Sequence, residues 1–211
     1  MKKENNLLKV YFTDCWTIPN LLSVIRIIIV PIFGYLFLHD QKIPALILLV
    51  ISGLTDTLDG KIARRFNQVS ELGKMLDPVA DKITMITIAI MMLILFRRAE
   101  SPVMRAAGWV FLVFLIKEFI FVVGGAAMIA FGIKPGAAEI YGKVATCVFY
   151  FVMIALIMFG PEVGVFSEML FTIPDVVAMV MVCISALCTV IAFVGYMPST
   201  AKQVKERFSK N

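Results

Sequence analysis

The chain contains six stretches of about 20 mostly apolar residues, and these restrict its fold more than any other feature. They cover approximately residues 18–38, 43–66, 76–96, 109–131, 139–159 and 173–196. A helix of about 20 residues rises about 30 Å, which matches the hydrocarbon core of a bilayer. A helix also satisfies its backbone hydrogen bonds along its own length, as a segment in hydrocarbon must. The sequence therefore predicts an all-α integral membrane protein with six transmembrane helices.

The overall composition favours one membrane domain that covers residues 1–211. Hydrophobic residues make up 60% of the chain, which is more than water-soluble globular domains contain. Residues 2–16 combine apolar side chains with Lys2, Lys3 and Lys9, and so predict a short amphipathic segment on the membrane surface; a frayed terminus is the alternative. The formal net charge of +5 is dispersed around the apolar stretches, which favours anionic lipids and phosphate-bearing substrates over nucleic acid.

Lysines and arginines flank the apolar stretches unevenly. Lys42, Arg97, Arg98 and Arg105 lie on one side, and most of the others lie on the side that holds both termini. The positive-inside rule makes the richer side cytoplasmic. We therefore expect a multi-pass protein of the cell membrane, with both termini and the active site facing the cytoplasm.

Four aspartates lie close together around the junction between the second and third apolar stretches. Asp56 and Asp59 are three residues apart, and Asp77 and Asp81 are four apart, so on a helix each pair projects from one face. A charge near hydrocarbon costs about 2.5–3.5 kcal/mol on insertion scales, and a bound cation would compensate for it. Oxygen ligands without His or Cys favour Mg²⁺, Mn²⁺ or Ca²⁺. These four residues are the predicted metal ligands; a solvated loop whose charges only fix topology is the alternative.

Small residues and one arginine accompany the aspartates. Gly60 and Gly73 leave room for a backbone or a flat ligand to come close, and Ala63 does nearly the same. Arg64 carries a planar, permanently charged guanidinium that suits a pyrophosphate. The segment therefore predicts a phosphate-bearing ligand beside the metal.

These residues follow one another at defined spacings, with eight residues between the two halves: Asp56-x-x-Asp59-Gly60-x-x-Ala63-Arg64 and Gly73-x-x-x-Asp77-x-x-x-Asp81. The pattern resembles the complete signature of the CDP-alcohol phosphotransferase family. Upstream, Ile-Pro-Asn-Leu-Leu-Ser-x-x-Arg at residues 18–26 resembles the family's usual opening.

The resemblance implies an enzyme that replaces CMP on a CDP-linked lipid or alcohol with an acceptor hydroxyl, and a six-helix fold that usually dimerises. It implies that Asp81 takes the proton of the acceptor, while the first three aspartates mainly hold the metal. Two Mg²⁺ or Mn²⁺ ions are expected. The CDP site is expected to consist of one aspartate, three small residues and one arginine: Asp56, Gly60, Ala63, Arg64 and Gly73.

The acceptor is inferred from the surroundings of this signature. Leu-Asp77-Pro-x-Ala-Asp81-Lys resembles the branch of the family that makes phosphatidylglycerol phosphate or cardiolipin. Glycerol 3-phosphate is a small dianion and needs cationic partners outside the metal cage, for which the sequence offers Lys143, Arg26 and Lys117. For Lys117 the alternative is a structural intramembrane ion pair with its neighbour Glu118.

The sequence therefore predicts transfer of a phosphatidyl group from CDP-diacylglycerol to glycerol 3-phosphate, giving phosphatidylglycerol phosphate and CMP. The alternative within the family is a cardiolipin synthase that uses phosphatidylglycerol as acceptor. A divalent-cation transporter is an alternative of a different class, although its site is expected near the bilayer midplane rather than at one membrane face.

Overall fold

The computed structural model describes residues 17–65, 71–130 and 140–208, and within them all regular secondary structure is α-helical. The helices are α1 (Ile18–Leu38), α2 (Lys42–Arg65), α3 (Glu71–Arg98), α4 (Pro102–Ala130), α5 (Ile140–Phe159) and α6 (Asp175–Phe208). The predicted all-α class is confirmed for this part of the chain. The predicted amphipathic segment at residues 2–16 lies outside the described residues.

Five of the helices contain a segment long and apolar enough to cross a membrane: Asn20–Leu38, Val79–Arg98, Pro102–Gly125, Tyr141–Phe159 and Asp175–Pro198. The sixth predicted span, at residues 43–66, is not confirmed. The apolar part of α2 that the structure describes is Lys42–Thr55. The α2 side chains from Asp56 to Arg65 lie outside the described residues, so this span stays a prediction.

Three helices are longer than the sequence predicts, and of these α3 covers Glu71–Arg98 rather than about 76–96. α4 begins at Pro102 rather than near residue 109, with the proline at its first position, where the missing N–H removes no helical hydrogen bond. α6 continues through Pro198 to Phe208, beyond the predicted end at about residue 196. α1 likewise continues past a proline, Pro31. A proline inside a helix removes one backbone hydrogen bond, and both helices continue in spite of this loss.

The chain divides into two compact units, Met1–Met91 and Met92–Asn211. The prediction of one domain over residues 1–211 stays a prediction.

In the first unit, α1 and α2 form an antiparallel pair joined by a short turn. Thr17 caps α1 by accepting a hydrogen bond from the backbone N–H of Asn20 at 3.4 Å. Gly34 lets α1 approach α3 closely, because a Cβ at this position would lie 2.7 Å from Cγ2 of Thr87. The core of this unit is apolar and includes Val30, Phe33, Phe37, Ala45, Ala80, Met85 and Ile88.

In the second unit, α6 packs against both α4 and α5. Phe114 on α4 and Phe149 on α5 stack with ring centroids 4.5 Å apart and an interplanar angle of 11°. Together with Met153 and Leu156, both fully buried, these rings form an aromatic and aliphatic core between the helices.

The connection between α5 and α6, residues 160–174, is folded back on the end of α5. Val165 and Phe166 donate backbone hydrogen bonds of 2.9 and 2.8 Å to the carbonyls of Ile157 and Met158. These bonds satisfy carbonyls in the last turn of α5, which have no partner within the helix.

The same connection also caps α4. The Glu162 carboxylate accepts hydrogen bonds from the backbone N–H groups of Glu100 (2.9 Å) and Ser101 (3.1 Å), just before the helix begins. The Ser101 hydroxyl in turn donates to the Asp175 carboxylate at the first residue of α6. One end of the second unit is therefore held together by polar contacts among three segments.

We expect Glu162→Ala to lower the free energy of unfolding by about 1–2 kcal/mol, because it removes the acceptor of two N–H groups at a helix start. Thermal unfolding of the purified protein in detergent checks this. Glu168→Ala removes an exposed acid from the same loop and is the matched control, with an expected change within about 0.5 kcal/mol. Equal unfolding midpoints for the two variants would contradict the capping role.

Candidate active site

The four signature aspartates lie in two successive helices of the first unit. Asp56 and Asp59 are in α2 near its end, and Asp77 and Asp81 are in α3 near its start. The predicted helical backbone at each pair is thus confirmed. Among the described side chains no group of three or more His, Cys, Asp or Glu residues could hold a metal ion; of the four aspartates, that search includes only Asp81. The metal site stays a prediction.

The predicted CDP site also falls on these two helices, with Asp56, Gly60, Ala63 and Arg64 in α2 and Gly73 in α3. The surroundings of all five residues lie outside what the structure describes. Their role stays a prediction.

Asp81 contacts a buried arginine from the first helix. Nη1 of Arg26 donates a hydrogen bond to Oδ1 of Asp81 at 3.5 Å. The Arg26 side chain is 2% exposed and that of Asp81 is 51% exposed. The cation is therefore enclosed by protein, while the carboxylate it contacts faces both the arginine and open space.

Arg26 belongs to a buried polar face of α1. Asn20, Ser23 and Arg26 follow one another at intervals of three residues and are each at most 2% exposed. Residues at this spacing share one side of a helix. Neither Asn20 nor Ser23 is among the predicted site residues, although their spacing from Arg26 within an apolar stretch is visible in the sequence.

Lys117 pairs with Glu118 in the second unit, within α4. Its ammonium contacts Oε1 of Glu118, whose side chain is fully buried, and lies 4.9 Å from the ring centroid of Phe114. The intramembrane ion pair considered as an alternative is therefore present. A role of Lys117 in binding the acceptor phosphate stays a prediction.

Lys143 lies in the first turn of α5 and is exposed. It forms no ion pair with any residue in the described ranges. The nearby Thr146 hydroxyl donates to the carbonyl of Gly142 at 3.0 Å, which is a bond within the helix. Of the three predicted phosphate-binding cations, Arg26 and Lys117 thus have carboxylate partners. The Lys143 side chain is exposed at the surface.

A family model described as CDP-alcohol phosphatidyltransferase matches residues 16–191. The match includes α1 through the first half of α6 and contains every signature residue. It agrees with the family to which the sequence pattern points.

Three relatives divide between two activities. A CMP-forming cardiolipin synthase from Streptomyces coelicolor is 37% identical over 136 residues, which are 62% of this chain and 60% of the relative. The rat enzyme of the same name is 52% identical over 73 residues, 34% of this chain and 24% of the relative. A CDP-diacylglycerol–glycerol-3-phosphate 3-phosphatidyltransferase from Aquifex aeolicus is 32% identical over 143 residues, 68% of this chain and 75% of the relative. The chain thus spans less than two thirds of the length of each cardiolipin synthase. It spans three quarters of the length of the Aquifex protein.

Proposed function

The chain belongs to the CDP-alcohol phosphatidyltransferase family, and we propose that it transfers a phosphatidyl group from CDP-diacylglycerol to glycerol 3-phosphate, giving phosphatidylglycerol phosphate and CMP. The observation that supports this acceptor most is Lys143, an exposed cation without an ion-pair partner among the described residues. The match to 75% of the Aquifex phosphatidyltransferase also supports it.

The donor set fits a divalent metal. Asp56, Asp59 and Asp77 bring carboxylate oxygens from two successive helices of one unit, and Mg²⁺ and Mn²⁺ prefer such ligands. We propose that they hold two ions, with Asp81 next to them. When bound, such ions neutralise phosphate charge and lower the pKa of a coordinated hydroxyl.

The chain's own residues would position and deprotonate the acceptor. The acceptor oxygen forms a bond to the phosphatidyl phosphorus, the bond from that phosphorus to the CMP oxygen breaks, and the hydroxyl proton passes to Asp81. The half-exposed carboxylate of Asp81 is accessible to a substrate, and the buried guanidinium of Arg26 holds it from the protein side. Arg26 is therefore proposed as a positioning residue for the base, in addition to its predicted contact with the acceptor phosphate.

The nucleotide would lie against the small residues of α2 and α3. Gly60, Ala63 and Gly73 leave space for the cytidine, Arg64 suits the pyrophosphate, and Asp56 also serves this site. This assignment rests on the signature.

The acceptor phosphate is proposed to bind Lys143. We expect Lys143→Ala to raise the KM for glycerol 3-phosphate about 10- to 100-fold, since a charge-assisted hydrogen bond is worth about 1.5–3 kcal/mol. The KM for CDP-diacylglycerol should change little, because the metal cage is intact. Initial rates at varied concentrations of each substrate measure both values.

Arg105→Ala is the matched control for this experiment, because it removes an exposed cation from the first turns of α4 in the same unit. An unchanged KM for glycerol 3-phosphate in Lys143→Ala would remove this residue from the acceptor site.

The runner-up is a cardiolipin synthase, favoured by the identities of 37% and 52% to enzymes of that name. Its acceptor, phosphatidylglycerol, carries its phosphate within a lipid. Purified protein with CDP-diacylglycerol, Mg²⁺ or Mn²⁺, and each acceptor in turn distinguishes the two. Release of CMP with phosphatidylglycerol but not with glycerol 3-phosphate would replace the first proposal by the second.

The setting of the reaction is a membrane. Five apolar helices of sufficient length support a multi-pass membrane protein. That the termini and active site face the cytoplasm, and that the protein forms a homodimer, are part of the proposal. Family membership speaks against the divalent-cation transporter.

A further inference from the structure

The connection between α5 and α6 exposes three adjacent large apolar side chains. Met169 is 79% exposed, Leu170 is 71% exposed and Phe171 is 57% exposed. We call residues 169–171 the apolar loop tip. Three such neighbours in a loop, outside any helix, require a covering partner.

The depth of the tip follows from an aromatic contact. The ring of Phe171 stacks on that of Phe159, with centroids 4.4 Å apart and an interplanar angle of 16°. Phe159 is the last residue of α5 and of the apolar segment Tyr141–Phe159. The tip therefore lies level with the end of a membrane span, where hydrocarbon meets the lipid headgroups.

Two of the three backbone N–H groups of the tip, and one beside it, are paired within the protein. Met169 and Leu170 donate N–H hydrogen bonds to the carbonyl of Phe166 at 3.2 and 3.0 Å. Ile173 donates to the carbonyl of Phe159 at 2.8 Å. Backbone groups that enter an apolar region must form their hydrogen bonds within the protein, and these three N–H groups already do so.

The charges of the loop indicate which kind of lipid contact it can make. Residues 160–174 contain Glu162 and Glu168 but no Lys or Arg. The Glu162 carboxylate is engaged by the backbone of Glu100 and Ser101. The loop thus offers no cation to a lipid phosphate, and the exposed Glu168 carboxylate beside the tip would not attract anionic lipid, so contact with a bilayer would come from apolar area.

We infer that the apolar loop tip inserts into the headgroup–acyl boundary of the adjoining leaflet and forms a lipid contact that does not need anionic lipid. Interfacial apolar groups of this kind enter about 5–10 Å below the headgroup surface. The inference does not depend on the proposed reaction or its acceptor.

The test places a single environment-sensitive probe on the tip. In a chain whose Cys15, Cys147, Cys183 and Cys188 are replaced by Ala, Leu170→Cys is labelled with a nitrobenzoxadiazole dye and reconstituted at one copy per lipid nanodisc. Gln41→Cys is the control, because it lies in a polar, exposed turn that also follows the end of a span.

We expect the Leu170→Cys label to emit at shorter wavelength than the Gln41→Cys label and to be quenched by lipids with a nitroxide near the headgroup. Both effects should already be present in phosphatidylcholine, and a mixture with phosphatidylglycerol should not strengthen them. Equal emission from the two sites would overturn the inference, as would a blue shift that needs anionic lipid. A shift that appears only with two copies per disc would assign the tip to a second copy of the chain instead.

A measurement on the unsubstituted protein avoids any effect of the cysteine replacements on folding. Met169 in nanodiscs should resist a water-soluble oxidant, compared with the same protein after proteolysis into peptides. Oxidation of Met169 as fast as in the free peptide, detected by mass spectrometry, would overturn the inference.

Discussion

Asp81→Asn is expected to lower turnover about 10²- to 10⁴-fold, because the amide cannot take the proton of the acceptor hydroxyl. Binding of CDP-diacylglycerol should persist, since the other three signature aspartates remain. Turnover at saturating substrate and binding of radiolabelled CDP-diacylglycerol separate the two effects. Near-normal turnover would exclude Asp81 from the chemistry.

The contact between Arg26 and Asp81 provides the control for this prediction. Arg26→Lys keeps the positive charge but loses the planar guanidinium, so it should lower turnover less than Asp81→Asn. If Arg26 acts by positioning Asp81, Arg26→Lys should have little further effect in the Asp81→Asn background. Additive losses in the double variant would assign Arg26 a role separate from Asp81.

Asp59→Asn is expected to lower turnover about 10³-fold, because metal stabilisation of a phosphoryl transition state is worth several kcal/mol. EDTA should abolish CMP release by the unsubstituted protein, and added Mg²⁺ or Mn²⁺ should restore it. In Asp59→Asn the metal concentration needed for half-maximal activity should also rise. Glu168→Gln, which neutralises an exposed acid in the second unit, should leave both quantities unchanged.

Undiminished CMP release in EDTA would exclude the proposed metal role. Loss of activity in both Asp59→Asn and Glu168→Gln would indicate a general effect of lost acidic charge instead.

The features that could be predicted from the sequence depend on residues close together in the chain. The helical backbone at Asp56, Asp59, Asp77 and Asp81 follows from spacings of three and four residues within apolar flanks. Five of the spans were predictable because a segment that crosses the hydrocarbon core must be helical and needs about 20 apolar residues. The α2 span stays a prediction, because the described part of its apolar segment, Lys42–Thr55, covers only part of residues 43–66.

The contacts that were not predicted join residues far apart in the chain. Arg26 and Asp81 are 55 positions apart, and their contact depends on how α1 and α3 pack. Glu162 accepts hydrogen bonds from a segment more than 60 residues before it. The spacing of apolar residues along the chain does not indicate which distant residues come into contact, so neither contact could be predicted from it. Lys117 and Glu118 are neighbours, yet their pairing depends on flexible side chains that bring together groups pointing about 100° apart around α4.

The burial of Arg26 also has a consequence for how the protein is made. Arg26 lies in α1, and Asp81 is added to the chain 55 residues later. At about 5–20 residues per second, that interval lasts roughly 3–11 seconds. An arginine at the centre of an isolated membrane helix costs about 2.5–3.5 kcal/mol on insertion scales. We therefore expect α1 to carry this cost during synthesis until Asp81 is present in α3.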